Sequence, residues 1–197
     1  PALHAYCLAA LKVKEGETAV HVGAGTGYYT AVLARLVGPT GSVTAYEIEA
    51  KLAGRAKENL AEFPNVKVLP RSGCEGPLPD CHVIYLNAGV TEPLDVWLDA
   101  LRPGGRLMLP LTPSAGPGGI ALITRGANDL FDARILLPAM FIPCVGARDE
   151  VTAKRLSEAF KQGNMREVKS LRRKTEPDAT CWCAGKEWWL STAANPA

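Results

Sequence analysis

The chain of 197 residues is 47% hydrophobic and 21% charged, a composition typical of a soluble globular protein with one well-buried domain. Its formal net charge of +2 is too small to indicate a nucleic-acid partner by itself. No apolar run reaches the ~18 residues that span a bilayer and no signal peptide is visible, so we expect a cytoplasmic protein without a membrane partner.

The first part of the chain alternates apolar strand patterns with helical patterns. The segment 18–22 is nearly all apolar, as a central parallel strand should be. The segment 50–63 carries its charges on one face, which predicts a surface helix. The predicted elements are a helix over 2–12, a strand over 18–22, a helix over 29–37, a strand over 42–47, a helix over 50–63 and a strand over 66–69.

The second part continues this alternation and then changes to a run of strands. The residues 126–129 have the composition of a hairpin turn, and 184–186 have it again near the end of the chain. The predicted elements are a strand over 81–87, a helix over 92–102, strands over 106–111, 120–124 and 133–137, a helix over 149–163 and a hairpin over 180–190.

This order predicts an α/β fold with a doubly wound, mostly parallel sheet of seven strands, an antiparallel edge and a C-terminal β-hairpin extension. We expect a core over 1–148 and a helix-plus-hairpin extension over 149–197 that packs on it. The basic run 166–174 is interpreted as a solvated face, with docking of an acidic peptide or RNA as the alternative. We interpret three tryptophans as the packed core of the hairpin rather than a platform for substrate: Trp182, Trp188 and Trp189.

The six cysteines show no spacing typical of a metal site. Cys181 and Cys183 are close, but one intervening residue is not the spacing of a zinc knuckle. We predict no metal site, and we expect reduced thiols that act as small hydrophobic side chains. The other four cysteines are Cys7, Cys74, Cys81 and Cys144.

A glycine-rich turn joins the first predicted strand to the next helix. Strand, glycine turn and helix is the arrangement with which an α/β sheet meets a nucleotide-type ligand. Glu47 ends the second strand, 20 positions beyond Gly27. At that spacing a carboxylate can accept hydrogen bonds from ribose hydroxyls, and a plain surface acid is the alternative. The turn consists of Gly23, Ala24, Gly25, Thr26 and Gly27.

Several stretches resemble one family in its own order. They are Pro1-Ala-Leu-His-Ala5, the glycine loop 22–28 with 30–34, Leu101-Arg-Pro-Gly-Gly-Arg-Leu107 with Pro110, 120–125, and Phe141-Ile-Pro-Cys-Val-Gly-Ala-Arg148. The chain is similar to class I S-adenosylmethionine-dependent methyltransferases and resembles, more narrowly, the protein-L-isoaspartate O-methyltransferase family. The resemblance covers residues 1–148. It implies a Rossmann-like fold, S-adenosyl-L-methionine as cofactor, S-adenosyl-L-homocysteine as product and methyl transfer to a protein or peptide carboxylate.

The resemblance also implies a set of site residues. The glycine loop should carry the amino-acid end of the cofactor and Glu47 should bind the ribose. Ile48 should cover one face of the adenine, with Ser72 and Gly73 near its edge. His4, Asn87 and Ala88 should face the methyl-transfer end. For His4 the alternative is a buried structural histidine, and for Asn87 it is a residue that caps the following turn.

The chain departs from the family pattern at three places. His21 stands where the family has an acidic residue before the loop, and we interpret it as a neutral imidazole that hydrogen-bonds the loop backbone. Ser72 stands where the family has the aspartate that meets the adenine amine. The family's serine before the Pro-x-x-His-Ala segment would lie upstream of Pro1, where we expect further residues because the chain begins without a methionine.

These departures keep two other functions open. One is a methyltransferase of another acceptor, a small molecule or RNA, and the other is a degenerate methyltransferase fold that only binds partners. No catalytic triad is visible, which is what a carboxylate acceptor predicts, since it is already ionised at pH 7 and needs no strong base. The oligomeric state is not indicated.

Overall fold

A computed structural model describes residues 2–196, and within them ten strands form one mixed sheet with helices on its faces. Pro1, part of the first resemblance stretch, and Ala197, the end of the predicted extension, lie outside the described residues. The strands are β1 Thr18–Val22, β2 Ser42–Tyr46, β3 Val66–Leu69, β4 Cys81–Leu86, β5 Leu101–Leu111, β6 Gly118–Arg125, β7 Phe131–Ala139, β8 Ser170–Arg173, β9 Cys181–Ala184 and β10 Trp188–Ser191. The helices are α1 Ala2–Leu11, α2 Tyr28–Val37, α3 Ala50–Asn59, α4 Asp95–Ala100 and α5 Glu150–Gln162, with a 3₁₀ turn at Met165–Glu167.

The first half of the sheet is parallel. Its order is β3-β2-β1-β4-β5, and every neighbouring pair in it is parallel. Successive residues of β4 point to opposite faces, so Val83 and Tyr85 pack under α1 and α2 while Ile84 and Leu86 pack with α4 and α5. Burial on both faces explains why the central strands β1 and β4 are mainly apolar.

The second half of the sheet is antiparallel, in the order β5-β6-β7-β8-β10-β9. The prediction of a mostly parallel core followed by an antiparallel edge is confirmed. The C-terminal hairpin is formed by β9 and β10 around 185–187, and its three tryptophans are buried as expected. The aromatic ring of Trp182 packs edge-on against Phe160 of α5, with 5.1 Å between the centroids.

Strand β8 was not predicted, and it corrects the interpretation of the basic run. Leu171 is buried in the core, and Arg173 forms ion pairs with Asp95 at 2.5 Å and Asp99 at 2.8 Å. Arg172 lies over the ring of Trp189. The interpretation of residues 170–173 as a solvated face is therefore wrong. Arg172 and Arg173 reach over neighbouring elements, and their charges obscure the alternation of apolar and polar residues by which a strand is recognised in a sequence.

Helix α4 is shorter than predicted. It begins at Asp95 and ends at Ala100, whereas the expected helix ran over 92–102. Pro93 keeps the residues before it out of the helical conformation, and Leu101 already pairs with Cys81 as part of β5. Within residues 2–196 no helix has both the length and the apolar character that crossing a bilayer requires.

Arg106 of β5 ties the end of α1 to the turn before β1. Its guanidinium donates to both carboxylate oxygens of Glu17 at 2.8 Å and to the backbone carbonyls of Leu11 and Lys12. The two charged side chains are only 14% and 10% exposed. When one partner of such a bidentate, partly buried ion pair is removed, the charge that remains has no partner and lowers the stability of the fold.

We expect Arg106→Ala to lower the free energy of unfolding by about 3 kcal/mol, because Glu17 loses its partner. Urea unfolding followed by circular dichroism measures the change. Arg134→Ala, at an exposed position of β7, is the control and should change stability by less than about 0.5 kcal/mol. Equal losses in the two variants would contradict the role given to the pair.

Candidate functional site

A cavity of about 430 Å³ lies beyond the carboxyl ends of the parallel strands β1, β2 and β4. Ligands of open α/β sheets bind at this edge because the strand ends and their loops leave a crevice there. The lining residues are Val22, Gly23, Gly25, Tyr46, Glu47, Ile48, Glu49, Leu52, Ser72, Gly73, Cys74, Asn87, Ala88, Ile142, Pro143, Cys144 and Val145.

A larger groove of about 660 Å³ lies between α1 and α2. Its walls are mainly aliphatic and tyrosine side chains, such as Leu8, Val32 and Tyr29. A small-molecule site needs convergent polar groups to orient its ligand, and the cavity at the strand ends has them. We therefore place the candidate site at the strand ends.

The glycine loop is tied to the end of β2 by its backbone. The amides of Gly23 and Ala24 both donate to the carbonyl of Tyr46, at 2.9 and 3.1 Å. Gly25 has φ +57°, a left-handed conformation that favours glycine, and a Cβ built on it would meet no atom within 4 Å. The loop therefore presents open backbone to the cavity, which fits the close approach of a ligand.

Glu47 is buried against this loop. Its Oε2 accepts a hydrogen bond from the Gly25 amide at 2.7 Å, and its Oε1 accepts one from the Glu49 amide at 3.0 Å. A carboxylate has about four acceptor positions, so about two stay available at the cavity wall. That capacity fits the two hydroxyls of a ribose.

The loop after β3 forms another part of the cavity wall. The Ser72 hydroxyl oxygen accepts from the Cys74 amide at 3.1 Å, and its proton stays available for a ligand acceptor. A Cβ at Gly73 would come within 2.8 Å of a methyl group of Val22, so only glycine lets this wall lie against β1. The buried Trp97 indole donates to the Gly73 carbonyl at 2.7 Å and fixes the wall from behind.

His21 and Asn87 form a buried network under the loop. The His21 Nδ1 lies 2.8 Å from the Thr30 hydroxyl, and its Nε2 lies 2.9 Å from the Asn87 Nδ2. Burial of the whole ring, followed by the charge of His4, lowers the pKa of His21 to about 3, so the imidazole is neutral. The interpretation of His21 as a neutral, satisfied residue agrees with this geometry, but its partners are two side chains and not the loop backbone.

The Asn87 side chain has one end without a partner. Its Oδ1 is buried and accepts no hydrogen bond from residues 2–196. A buried acceptor left in this way costs free energy unless a donor reaches it. Asn87 is one of the residues that line the cavity, and a ligand amine, such as that at the amino-acid end of S-adenosylmethionine, is a donor of the right kind for its Oδ1.

His4 does not line the cavity. Its ring stacks on Tyr29 with 4.0 Å between the centroids, and its Nδ1 lies 2.6 Å from the Tyr85 hydroxyl. Phe141 meets it edge-on, and burial lowers its pKa. This environment resembles the structural histidine that was the alternative for this residue.

The predicted cofactor-binding residues, with Asn87 and Ala88, fall into two groups by whether they line the cavity. Gly23 and Gly25 line the cavity, together with Glu47, Ile48, Ser72, Gly73, Asn87 and Ala88. Three others lie outside its lining. Ala24 packs against α3, the Thr26 carbonyl accepts from Asn59, and the Gly27 amide donates to the Ala24 carbonyl.

The segment 142–145 forms a wall that no sequence feature assigned to the site. Gly89 holds it, since its amide donates to the Ile142 carbonyl at 2.7 Å and its carbonyl accepts from the Cys144 amide at 2.8 Å. The segment lies in a stretch that carries the family resemblance, which is the one indication that it belongs near the site. Among residues 2–196, no three His, Cys, Asp or Glu side chains are grouped to hold a metal ion.

A family of known proteins matches most of the chain. The family model for protein-L-isoaspartate(D-aspartate) O-methyltransferase matches residues 1–149. A protein-L-isoaspartate O-methyltransferase of Brucella anthropi is 31% identical over 148 residues, which cover 74% of this chain and 68% of that protein.

Two solved structures are similar to the fold. A protein-L-isoaspartate O-methyltransferase has a TM-score of 0.69 at 26% identity, and the match covers 82% of this chain and 51% of that one. A putative protein-L-isoaspartate O-methyltransferase from Plasmodium falciparum, in complex with S-adenosyl-L-homocysteine, has a TM-score of 0.66 at 21% identity, with 74% of each chain covered. The chain thus spans about half the length of the first structure.

Proposed function

The chain belongs to the protein-L-isoaspartate(D-aspartate) O-methyltransferase family of S-adenosylmethionine-dependent methyltransferases, and from that premise we propose that it methylates the free carboxylate of isoaspartyl residues in peptides and proteins. The observation that carries the proposal is where the family stretches meet. The glycine loop, through Gly23 and Gly25, and residues 142–145 of the stretch 141–148 are far apart in the sequence but line one cavity.

The residues of the cavity suit the cofactor. S-adenosylmethionine supplies a methyl group activated by its sulfonium, so no metal and no covalent intermediate with the protein are required. Glu47 would hold the ribose, the backbone at Gly23 and Gly25 would hold the amino-acid end with Asn87 as acceptor, and Ile48 would cover the adenine. These side chains bind and orient.

The acceptor requires little from the protein beyond alignment and exclusion of water. A carboxylate is ionised at pH 7 and needs no general base. The two histidines near the site suit this chemistry, because His21 has partners at both ring nitrogens and His4 is stacked away from the cavity. At the mouth, the side chains of Ile142 and Val145 are 76% and 67% exposed and offer an apolar surface to a peptide.

The test is transfer of labelled methyl from S-adenosylmethionine to an isoaspartyl peptide, with the matching aspartyl peptide as control. We expect label on the isoaspartyl peptide alone. The protein should include any residues that precede Pro1, since the family's serine would lie there. Equal labelling of the two peptides, or none with a protein that binds S-adenosylhomocysteine, would contradict the proposed substrate.

Another acceptor is the second candidate. Ser72 in place of the family's aspartate favours it, as does the extension beyond residue 149, which adds three strands to the sheet outside the family match. RNA as that acceptor has less support, because Arg172 and Arg173 engage Trp189, Asp95 and Asp99 within the chain. A binding-only module predicts no affinity for S-adenosylhomocysteine, so one binding isotherm separates it from both enzymes.

A cytoplasmic location and a protein partner are part of the same proposal. The described chain holds six free cysteines, as is common where thiols are kept reduced. Methylation of an isoaspartyl residue in turn requires a damaged protein or peptide as partner. Fractionation of the source cells with an antibody against the chain would test the location.

A further inference from the structure

Two cysteines that are 70 positions apart in the sequence meet in the cavity wall. The Sγ atoms of Cys74 and Cys144 lie 3.6 Å apart, which is van der Waals contact between thiols. Cys74 follows Gly73 in the loop after β3, and Cys144 belongs to the segment 142–145. Both line the cavity. The sequence assigned these thiols no role beyond that of small hydrophobic side chains.

The backbone on both sides of the contact is held in place. The Cys144 amide donates to the Gly89 carbonyl at 2.8 Å. On the other side, the Trp97 indole donates to the Gly73 carbonyl, and the Cys74 amide donates to the Ser72 hydroxyl oxygen. The two thiols are therefore presented to each other by anchored segments.

The two thiols also differ in acidity, as thiol–disulfide exchange requires of an attacking and a resolving cysteine. The hydrogen bond between the two thiols, in which either can be the donor, lowers the pKa of Cys74 more than burial raises it, and Ser72 lowers it further. The same hydrogen bond, together with burial, raises the pKa of Cys144. Cys74 is half-buried and is the more reactive of the two, because the thiolate is the nucleophile in thiol–disulfide exchange.

We propose that Cys74 and Cys144 are a site of reversible disulfide formation at the cofactor cavity, with a small-molecule disulfide of the glutathione class as oxidant. The Cys74 thiolate attacks one sulfur of the oxidant, and one small thiolate leaves and takes up a proton. Cys144 then loses its proton and attacks the Cys74 sulfur, which releases the second small thiol. The two protein thiols are oxidised by two electrons, and the oxidant is reduced to two thiols.

The geometric change is small. A disulfide has its sulfurs about 2.05 Å apart, so the two atoms must approach by about 1.5 Å in total. The bond then joins the loop after β3 to the segment 142–145, two parts of the cavity wall, and prevents them from separating. Exchange of the cofactor is slower in that state.

The first experiment is a peptide map of the native full chain after incubation with oxidised glutathione. We expect a cross-linked peptide pair that contains residues 74 and 144, lighter by two hydrogens than the reduced pair and lost on treatment with dithiothreitol. The map needs no variant, so it does not depend on whether a substitution folds. A chain without this cross-link, or with glutathione left on Cys74, overturns the proposal.

The second readout is the rate at which S-adenosylhomocysteine associates with the protein. We expect it to fall about tenfold on oxidation and to recover on reduction, because the bond prevents the separation of two wall segments through which the ligand enters. Cys74→Ser, which lacks the attacking thiol, should show no response to the oxidant. The double variant Cys181→Ser/Cys183→Ser is the matched control and should respond as the native chain does.

The outcomes separate this proposal from the function above. An association rate that oxidation leaves unchanged, in protein shown to carry the bond, overturns the effect on the cofactor. Failure to label an isoaspartyl peptide overturns the proposed substrate and leaves the cross-link as it is, because neither the peptide map nor the binding rate depends on the acceptor.

Discussion

Glu47→Gln is expected to raise the dissociation constant for S-adenosylhomocysteine by roughly 10- to 100-fold. The glutamine keeps one oxygen for the Gly25 amide but loses the charge and the acceptor positions that would serve the ribose. Calorimetric titration of the purified chain measures the affinity. The glutamine nitrogen faces the Glu49 amide, so the free variant should also lose about 1 kcal/mol in thermal unfolding, and a larger loss of binding free energy would separate a binding role from a structural one.

The matched control is Glu62→Gln, at an exposed position after α3, which should leave the affinity as it is. If Glu47→Gln bound the ligand as tightly as the native chain does, the carboxylate would only be a support for the glycine loop through Gly25. The ribose would then have to contact another part of the strand end.

His21→Ala is expected to lower the free energy of unfolding by about 3 kcal/mol, the second large effect. The substitution leaves a cavity in a fully buried place and removes the partner of both Thr30 and Asn87. Urea unfolding measures the change. His82→Ala is the control, since His82 is half-buried and accepts one hydrogen bond, from the Thr18 amide; its loss should be about 1 kcal/mol.

The pH dependence of this effect has a definite sign. The pKa of His21 is about 3 in the folded chain and about 6.5 in an unfolded one. The unfolded chain therefore binds the extra proton, and the contribution of His21 to stability is present above pH 6.5 and is lost as the pH falls towards 3. The difference between native chain and His21→Ala should narrow over that window. A constant difference, or an NMR titration of the His21 ring near pH 6.5, would contradict its burial as a neutral group.

The same variant bears on the site through Asn87. Without His21 the Asn87 amide is free to rotate, and the orphaned Oδ1 is no longer held in one place. His21 stands where the family has an acid, and this substitution has a physical consequence. The residue under the loop is a neutral imidazole, and it orients the amide of Asn87. Whether that amide meets the amine of the cofactor is what a comparison of S-adenosylhomocysteine affinity in Asn87→Ala and the native chain would show.

Local patterns were sufficient for much of the fold. The parallel strands were found because burial on both faces makes them apolar, and the hairpins because their turns have the required composition. The predicted bounds of α4 were wrong, because Pro93 excludes the helical conformation before it and β5 begins at Leu101, which leaves a helix of six residues. Strand β8 was missed because Arg172 and Arg173 give it the appearance of a charged surface segment.

The sequence by itself determined the order of the elements, the glycine loop and the acid at the end of β2, because each depends on residues close together in the chain. Only the tertiary structure decided that His21 meets Asn87, 66 positions away, and that Cys74 meets Cys144, 70 positions away. These contacts arise where β1, β4 and the segment 142–145 come together at one edge of the sheet. The pairing of the strands determines that these segments lie together, and this pairing depends on the packing of the whole chain rather than on any local pattern.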